Sequence, residues 1–307
     1  MSRTRHERVG SGEAGQRIDN FLIRRLPGVP KSHVYRLIRQ GEVRVDGRRV
    51  KQTRRLVCGE QVRVPVLRTR SREPARVPDA LADALAEAVV FEHEDFLVLA
   101  KPPGVAVHGG SGLAFGLVDA LRQRLETPSL ELVHRLDRGT SGCLLVARDA
   151  ARGRALQALF RERRVGKRYV ALVAGHWPAH VERVDAPLAK NVEHAGERRV
   201  VVDPSGKAAS SRFAVRRRFA DATLVEVAIE TGRTHQIRVH SRHVGHALVG
   251  DTRYGDNRVN ADFRRRGLGR LFLHAERLTF EWRGEPIELA VAPDAAWERS
   301  LDRLKPS

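Results

Sequence analysis

Asp137 stands in the stretch Glu131-Leu132-Val133-His134-Arg135-Leu136-Asp137-Arg138-Gly139-Thr140-Ser141-Gly142, a tight polar loop that runs straight into the apolar segment Cys143-Leu144-Leu145-Val146-Ala147. A carboxylate works as a nucleophile or a base when it is ionised, held still and partly shielded from water. Its neighbours suit that use. Arg135 and Arg138 flank it with positive charge, which favours the charged carboxylate. Thr140 and Ser141 can donate hydrogen bonds to it, and Gly139 and Gly142 permit a sharp turn. A second constellation, Thr231-Gly232-Arg233-Thr234-His235-Gln236-Ile237-Arg238-Val239-His240, reads as a turn entering a short helix that stops near Gly245. A third, Lys167-x-Tyr169, lies in the strand-like run Lys167-Arg168-Tyr169-Val170-Ala171-Leu172-Val173-Ala174.

Other chemistries find no support. His240, His243 and His246 repeat along a polar stretch without an acidic third ligand, so no metal site is read there. The loop Val107-His108-Gly109-Gly110-Ser111-Gly112 has no Gly-Lys-Ser/Thr after it and is not a phosphate-binding loop. There is no dinucleotide glycine fingerprint and no Ser-His-Asp elbow. Cys58 and Cys143 lie in unrelated contexts, which suits a reducing cytoplasm, and Cys143 reads as a small hydrophobe in a strand.

The elements that must position these groups follow from pattern. The chain has 307 residues, 41% hydrophobic and 30% charged, enough for one large domain and a small one. Its formal net charge is +19, and residues 1–70 hold 18 Lys/Arg against 6 Asp/Glu, a net +12. A charge so front-loaded points to a polyanion, most simply a nucleic acid. The start has no apolar leader and no apolar run approaches the length of a membrane span, so neither secretion nor a span is expected.

Residues 1–14 read as a disordered tail. Ile18, Phe21, Leu22 and Leu26 mark one amphipathic helix, and Val34, Leu37 and Ile38 a second whose N-cap is Ser32. Val43 and Val45, the Asp46-Gly47 turn, and Val57, Val62 and Val64 form a small sheet. Residues 15–70 are therefore one domain, decorated by Arg24, Arg25, Lys31, Arg36, Arg39, Arg44, Arg48, Arg49 and Lys51, the expected RNA contacts. Residues 71–87 read as a linker, and 88–307 as a mixed, mainly antiparallel α+β domain with a loop-lined cleft.

The string His134-Arg135-Leu136-Asp137-Arg138-Gly139-Thr140-Ser141-Gly142, the Lys167-x-Tyr169 pair, Gly232-Arg233-Thr234-His235-Gln236-Ile237-Arg238-Val239-His240 and Gly245-His246-Ala247-Leu248-Val249-Gly250-Asp251-Thr252-Arg253-Tyr254-Gly255 occur in the order of the RluA-type pseudouridine synthases, which the chain resembles over about residues 15–300. Ala247 stands where that family usually has Pro. The N-terminal order of helix, helix and Gly-flanked strands resembles the S-four type of RNA-binding domain. Gly15-Gln16-Arg17-Ile18-Asp19-Asn20-Phe21-Leu22 and Gly104-Val105-Ala106-Val107-His108-Gly109-Gly110-Ser111-Gly112 look like the RluC branch. The resemblance implies a bacterial isomerase of 23S ribosomal RNA that converts uridine to pseudouridine without cofactor or metal, as a cytoplasmic monomer. It also implies roles: Asp137 as the catalytic carboxylate, Arg238 as its ion-pair partner, Tyr169 stacking on the target base beside Lys167, and Arg135 entering the helix as the uridine leaves. Arg233 and His235 are further candidates, for RNA backbone contact or for loop geometry. A synthase of transfer RNA, or a non-catalytic RNA-binding assembly factor on the same fold, are the alternatives.

Overall fold

The computed structural model describes residues 4–26, 29, 31–66, 77–109, 115–194 and 197–307, and leaves the side chains of residues 31, 191–194 and 197–198 outside that description. The chain divides into two compact units, Met1–Arg76 and Val77–Ser307.

The first unit contains β1 (Thr4–Arg8), α1 (Ile18–Arg25), α2 (Lys31–Gln40), β2 (Arg44–Val45), β3 (Arg48–Arg49) and β4 (Gln61–Pro65), with its antiparallel sheet in the order β1-β4-β2-β3. Ile18, Phe21 and Leu22 of α1 and Val34, Leu37 and Ile38 of α2 pack on Val43, Val45, Val62 and Val64. Asp46 and Gly47 both have positive φ, 46° and 75°, the paired left-handed residues that a two-residue hairpin needs. Ser32 lies inside α2 rather than capping it. The expected disordered tail carries structure from Thr4. Residues 4–8 pair with β4, and Val9 is buried. Polar side chains hid that strand, because its stability comes from backbone pairing and from Glu7 bridging to Arg25 at 3.3 Å.

The second unit contains, in order, α3 (Asp79–Ala86), β5 (Val89–Glu92), β6 (Phe96–Lys101), α4 (Leu117–Arg124), β7 (Glu131–Leu132), β8 (Ser141–Ala147), α5 (Ala150–Arg161), β9 (Gly166–Ala174), β10 (Arg183–Asp185), β11 (Leu188–His194), β12 (Glu197–Val202), β13 (Ser210–Arg218), β14 (Ala222–Ile229), α6 (Gln236–His243), α7 (Asn257–Arg265), β15 (Leu273–Trp282), β16 (Glu285–Ala290) and α8 (Ala295–Leu301). The large sheet runs β10-β13-β14-β9-β15-β8-β6-β5, with β7 added to β8 and β16 to β15. It is antiparallel except for the β15–β8 pair. The expected linker is also partly structured: residues 71–76 lie outside the described residues, but α3 buries Ala82 and Leu85 in the core with Val77, Leu117 and Leu121. The Ala- and Arg-rich composition concealed its apolar stripe. No described helix is long and apolar enough to cross a membrane.

β6 and β8 read as unbroken apolar runs because both faces of the sheet are covered. Leu97, Leu99, Leu144 and Val146 face the α3/α4 layer, while Phe96, Val98, Cys143 and Leu145 pack with Leu156 and Leu159 of α5. Burial pushes the Cys143 thiol up to about 12, so it is an inert apolar group. The register matters most at one row. Gly142 of β8, Ala275 of β15, Tyr169 of β9 and Val227 of β14 are paired neighbours across four strands. Gly142 has φ 106°, and a Cβ there would sit 2.2 Å from the Ala275 carbonyl oxygen, so only glycine lets β8 approach β15 this closely.

Candidate active site

Residues 133–140 connect β7 to β8 and carry Asp137. Leu136 anchors this loop in the core, and the Thr140 N–H donates to the Asp137 carbonyl at 3.1 Å, which closes a turn beneath the side chain. Lys101, at the end of β6 and 1% exposed, holds the loop from below. Its Nζ donates to the carbonyls of Pro102 (2.9 Å), Arg138 (3.2 Å) and Thr140 (2.7 Å). Burial presses the Lys101 pKa down to about 7, against the pull of Asp137. Three carbonyl acceptors matched to three ammonium protons likewise favour the charged form. Arg138 turns away and donates from Nε to the Gly104 carbonyl at 2.8 Å. Ser141 does not serve Asp137 either: its Oγ lies 3.0 Å from His274 Nδ1 and accepts from Arg270 at 2.8 Å. The hydrogen bond expected from the Ser141 hydroxyl is thus spent elsewhere, and a backbone turn and a lysine clamp hold the loop.

The opposite wall is the turn from β14 into α6. Gln236, at the start of α6, is buried; its amide donates to the Ser210 carbonyl and Ser211 Oγ, and its Oε1 accepts from Thr231 and from the Arg233 N–H. That fixes the start of α6, and with it the angle at which Arg238, two residues on, faces Asp137. Arg238 Nη1 lies 3.5 Å from Asp137 Oδ2. Its firmer partner is Asp251, which accepts from Nε at 2.7 Å and from Nη2 at 2.8 Å. Asp251 also accepts the backbone N–H groups of Arg253 and Tyr254, each at 3.0 Å. Its carboxyl is held below the usual carboxylate range by these bonds, chiefly that from Arg238, against strong desolvation. The bidentate fork spends Nε and Nη2 on Asp251 and leaves Nη1 for Asp137.

Tyr169 closes the site from β9. Its pKa is raised, first by burial and then by Asp137, so it stays a neutral phenol. A cavity of about 120 Å³ lies between Asp137, Tyr169, Ile229, Leu273 and Arg238, with the exposed Arg135 at its rim. Arg233 also borders it, its guanidinium donating to the Ala208 carbonyl at 3.1 Å. Lys167 shares a strand face with Tyr169 yet does not line the cavity. It is buried, beside Arg163 and His134, and burial lowers its pKa. His134 packs flat on Phe160, ring centroids 4.6 Å apart, and its Nε2 accepts the Leu145 N–H at 3.1 Å.

Three site residues escaped the sequence reading. Lys101 ends an apolar strand immediately before Pro-Pro-Gly, where a long cation has no reason to stay buried unless carbonyls meet it. Asp251 and Tyr254 stand three apart in a Gly-flanked turn, a visible pattern without a visible partner.

Among the expected RNA contacts of the first unit, Arg24, Arg36, Arg39, Arg48, Arg49 and Lys51 are exposed, and Arg48, Arg49 and Lys51 line one open groove with Arg54 and Arg55. Arg25 is different. It bridges Glu7 and Glu13 and lies 3.7 Å over the Phe21 ring, so it serves the fold. Arg44 spends its guanidinium on the carbonyls of Gly41 and Gly47. The Lys31 side chain lies outside the described residues.

The model of the RNA pseudouridylate synthase family matches residues 95–243, and that of the S4 domain residues 16–62. Ribosomal large subunit pseudouridine synthase C of Escherichia coli (strain K12) is 47% identical over 97% of this chain and 95% of its own length. The chain belongs to the RNA pseudouridylate synthase family. The protein of the same name from Yersinia pestis is 50% identical over 89% of the chain and 86% of its own length. Among solved structures, human RNA pseudouridylate synthase domain containing 4 superposes with a TM-score of 0.62 at 26% identity, covering 73% of this chain and 95% of that one. As in the reading from sequence, this pseudouridine synthase is an α+β protein with an S4 domain before its catalytic domain.

Proposed function

We propose that the protein isomerises specific uridines of 23S ribosomal RNA to pseudouridine, with Asp137 as the catalytic carboxylate. The carrying observation is the position of Asp137: on a clamped loop at the edge of a base-sized cavity, opposite Tyr169 and 3.5 Å from a guanidinium that is itself locked. The substrate class follows the large-subunit relatives and the basic S4 domain. The reaction breaks the bond from C1′ to N1, turns the base, and joins C1′ to C5. The C5 proton leaves and N1 gains one, so no electrons are exchanged and no redox cofactor is required.

In this reading both cationic or N–H neighbours of Asp137 address Oδ2, so Oδ1 meets the sugar, as nucleophile at C1′ or as base at C2′. Tyr169, neutral and set in an apolar strand row, gives the free base a flat surface on which to turn. Arg135, exposed at the rim, fills the gap left in the RNA stack, while Arg233 meets the backbone and Lys167 supports the strand beneath Tyr169. The exposed arginines of the S4 unit supply phosphate contacts. The protein acts in the cytoplasm as a monomer.

The test uses 23S ribosomal RNA carrying tritium at uracil C5, because forming the carbon–carbon bond must release that tritium to water. The wild type releases it, and Asp137→Asn releases none while its RNA affinity stays within about twofold. A fully active Asp137→Asn would sink the assignment. Release from transfer RNA only would move the substrate.

A further inference from the structure

His235 is the imidazole nearest the carboxylate among the described residues, and it is held in an unusual way. It is the residue before α6 and has φ 54°, left-handed backbone that is uncommon outside glycine but that His, like Asn and Asp, adopts more often than most residues. That backbone turns the ring toward the site: Nε2 lies 3.6 Å from Asp137 Oδ2, and Nδ1 lies 2.7 Å from the Tyr254 hydroxyl. The hydroxyl has a second partner, the Val200 N–H on β12, at 3.2 Å. An N–H only donates, so Val200 occupies one of the two lone pairs of the Tyr254 oxygen, and the O–H is available to donate to His235 Nδ1. In that arrangement Nδ1 is the acceptor. Desolvation keeps the imidazole neutral, against the pull of Asp137. A neutral imidazole accepting at Nδ1 carries its proton on Nε2, the nitrogen facing Asp137.

Resting on the assignment of Asp137 as the catalytic carboxylate, we propose that His235 is a positioning residue for it, fixed as the Nε2–H tautomer by the chain Val200–Tyr254–His235. His235 and Arg238 then present two N–H donors to the same oxygen, Oδ2, and orient Oδ1 toward the ribose. Both donors trace back to one turn. Asp251 grips the Arg238 guanidinium and the Tyr254 N–H, and Tyr254 sets His235, with the Arg238 guanidinium 5.0 Å over the Tyr254 ring. At 3.6 Å the contact is longer than a hydrogen bond, and the proposed role requires it to tighten as substrate displaces water.

The experiment compares His235→Asn with His235→Gln by tritium release, and reads the tautomer separately from imidazole ¹⁵N shifts of histidine-labelled full-length protein. Asn adopts left-handed backbone readily, so His235→Asn folds, but its amide cannot reach Asp137. The Gln amide extends to the place of Nε2. Expected are a kcat about 10- to 100-fold lower in His235→Asn with KM nearly unchanged, and recovery of most of that loss in His235→Gln. Tyr254→Phe lowers kcat by itself but adds no further loss in the His235→Asn background, since it acts through the same ring. The wild-type shift of the resonance lost in His235→Asn shows a protonated Nε2 and bare Nδ1. A protonated Nδ1, equal losses in the Asn and Gln variants, or multiplying losses with Tyr254→Phe overturn the inference while leaving the reaction in place. A wild type without tritium release overturns the assigned function and this inference with it.

Discussion

Asp251→Asn tests whether the ion pair behind the site, rather than the site itself, governs turnover. The Asp251 side chain is fully buried, and its four accepted bonds come from Arg238 Nε, Arg238 Nη2, Arg253 N and Tyr254 N. Asn keeps one carbonyl for the three donors on Oδ1. Its amide nitrogen replaces Oδ2, so two donors face each other where Arg238 Nε is now bound at 2.7 Å. Breaking one side of a buried ion pair leaves an uncompensated charge and costs about 3–5 kcal/mol. For a unit of this size that lowers Tm by roughly 6–20 °C at about 2–4 °C per kcal/mol. Arg238 loses its fork, and Nη1 is no longer fixed 3.5 Å from Asp137. Removing one preorganised donor of this kind lowers kcat by about 10²–10³-fold. The assay is tritium release at a temperature well below the variant's melting, with RNA affinity measured in parallel and expected within about twofold, because Asp251 is remote from solvent. A variant with wild-type Tm, or one with kcat within about threefold of wild type, would refute the claim that Asp251 holds Arg238 in place.

Lys101→Met removes the clamp beneath the Asp137 loop. Arg138 keeps the Gly104 N–H as a partner but Pro102 and Thr140 lose theirs, so kcat should fall by about tenfold or more with affinity unchanged; an unaltered kcat would show that the loop holds itself. Gly142→Ala places a methyl against the Ala275 carbonyl in left-handed backbone, and should lose about 3 kcal/mol or more, read as a Tm drop of at least about 6 °C; an unchanged melting curve would contradict the close β8–β15 approach. Burial, assisted by Lys167, pushes the His134 pKa down from 6.5 to about 3. The unfolded chain therefore binds the extra proton, and this group's contribution to stability is complete above pH 6.5 and declines as pH falls toward 3. The gap in urea midpoint between wild type and His134→Leu should shrink over that window, and a constant gap would argue against it.

Much of this protein is written locally. The two amphipathic helices of the first unit, the Asp46-Gly47 hairpin and the double-sided burial of β6 and β8 follow from side-chain period and turn residues, which act over a few positions. The carboxylate loop, Tyr169 and the Arg233–Arg238 turn were legible because their residue types are conspicuous and sit in Gly-punctuated strings. Missed were features whose meaning depends on a distant partner. β1 reads as a polar tail until β4 lies beside it. Lys101 reads as an exposed cation until the loop from Arg138 to Thr140 folds over it. Ser141 was expected to serve Asp137, but strand pairing of Ser141 with His274 commits it elsewhere.

By itself the sequence determined the kind of chemistry, since only its residue types can supply a held carboxylate, an aromatic surface and paired cations, and it determined the elements that carry them. Tertiary structure alone decided which side chains stand nearest Asp137 and what holds them there. Those answers come from pairs separated by tens to over a hundred positions, Arg238 with Asp137 being 101 apart, and are set by sheet register across β8, β15, β9 and β14. Local propensity carries no information about such distances, because they depend on which strands become neighbours.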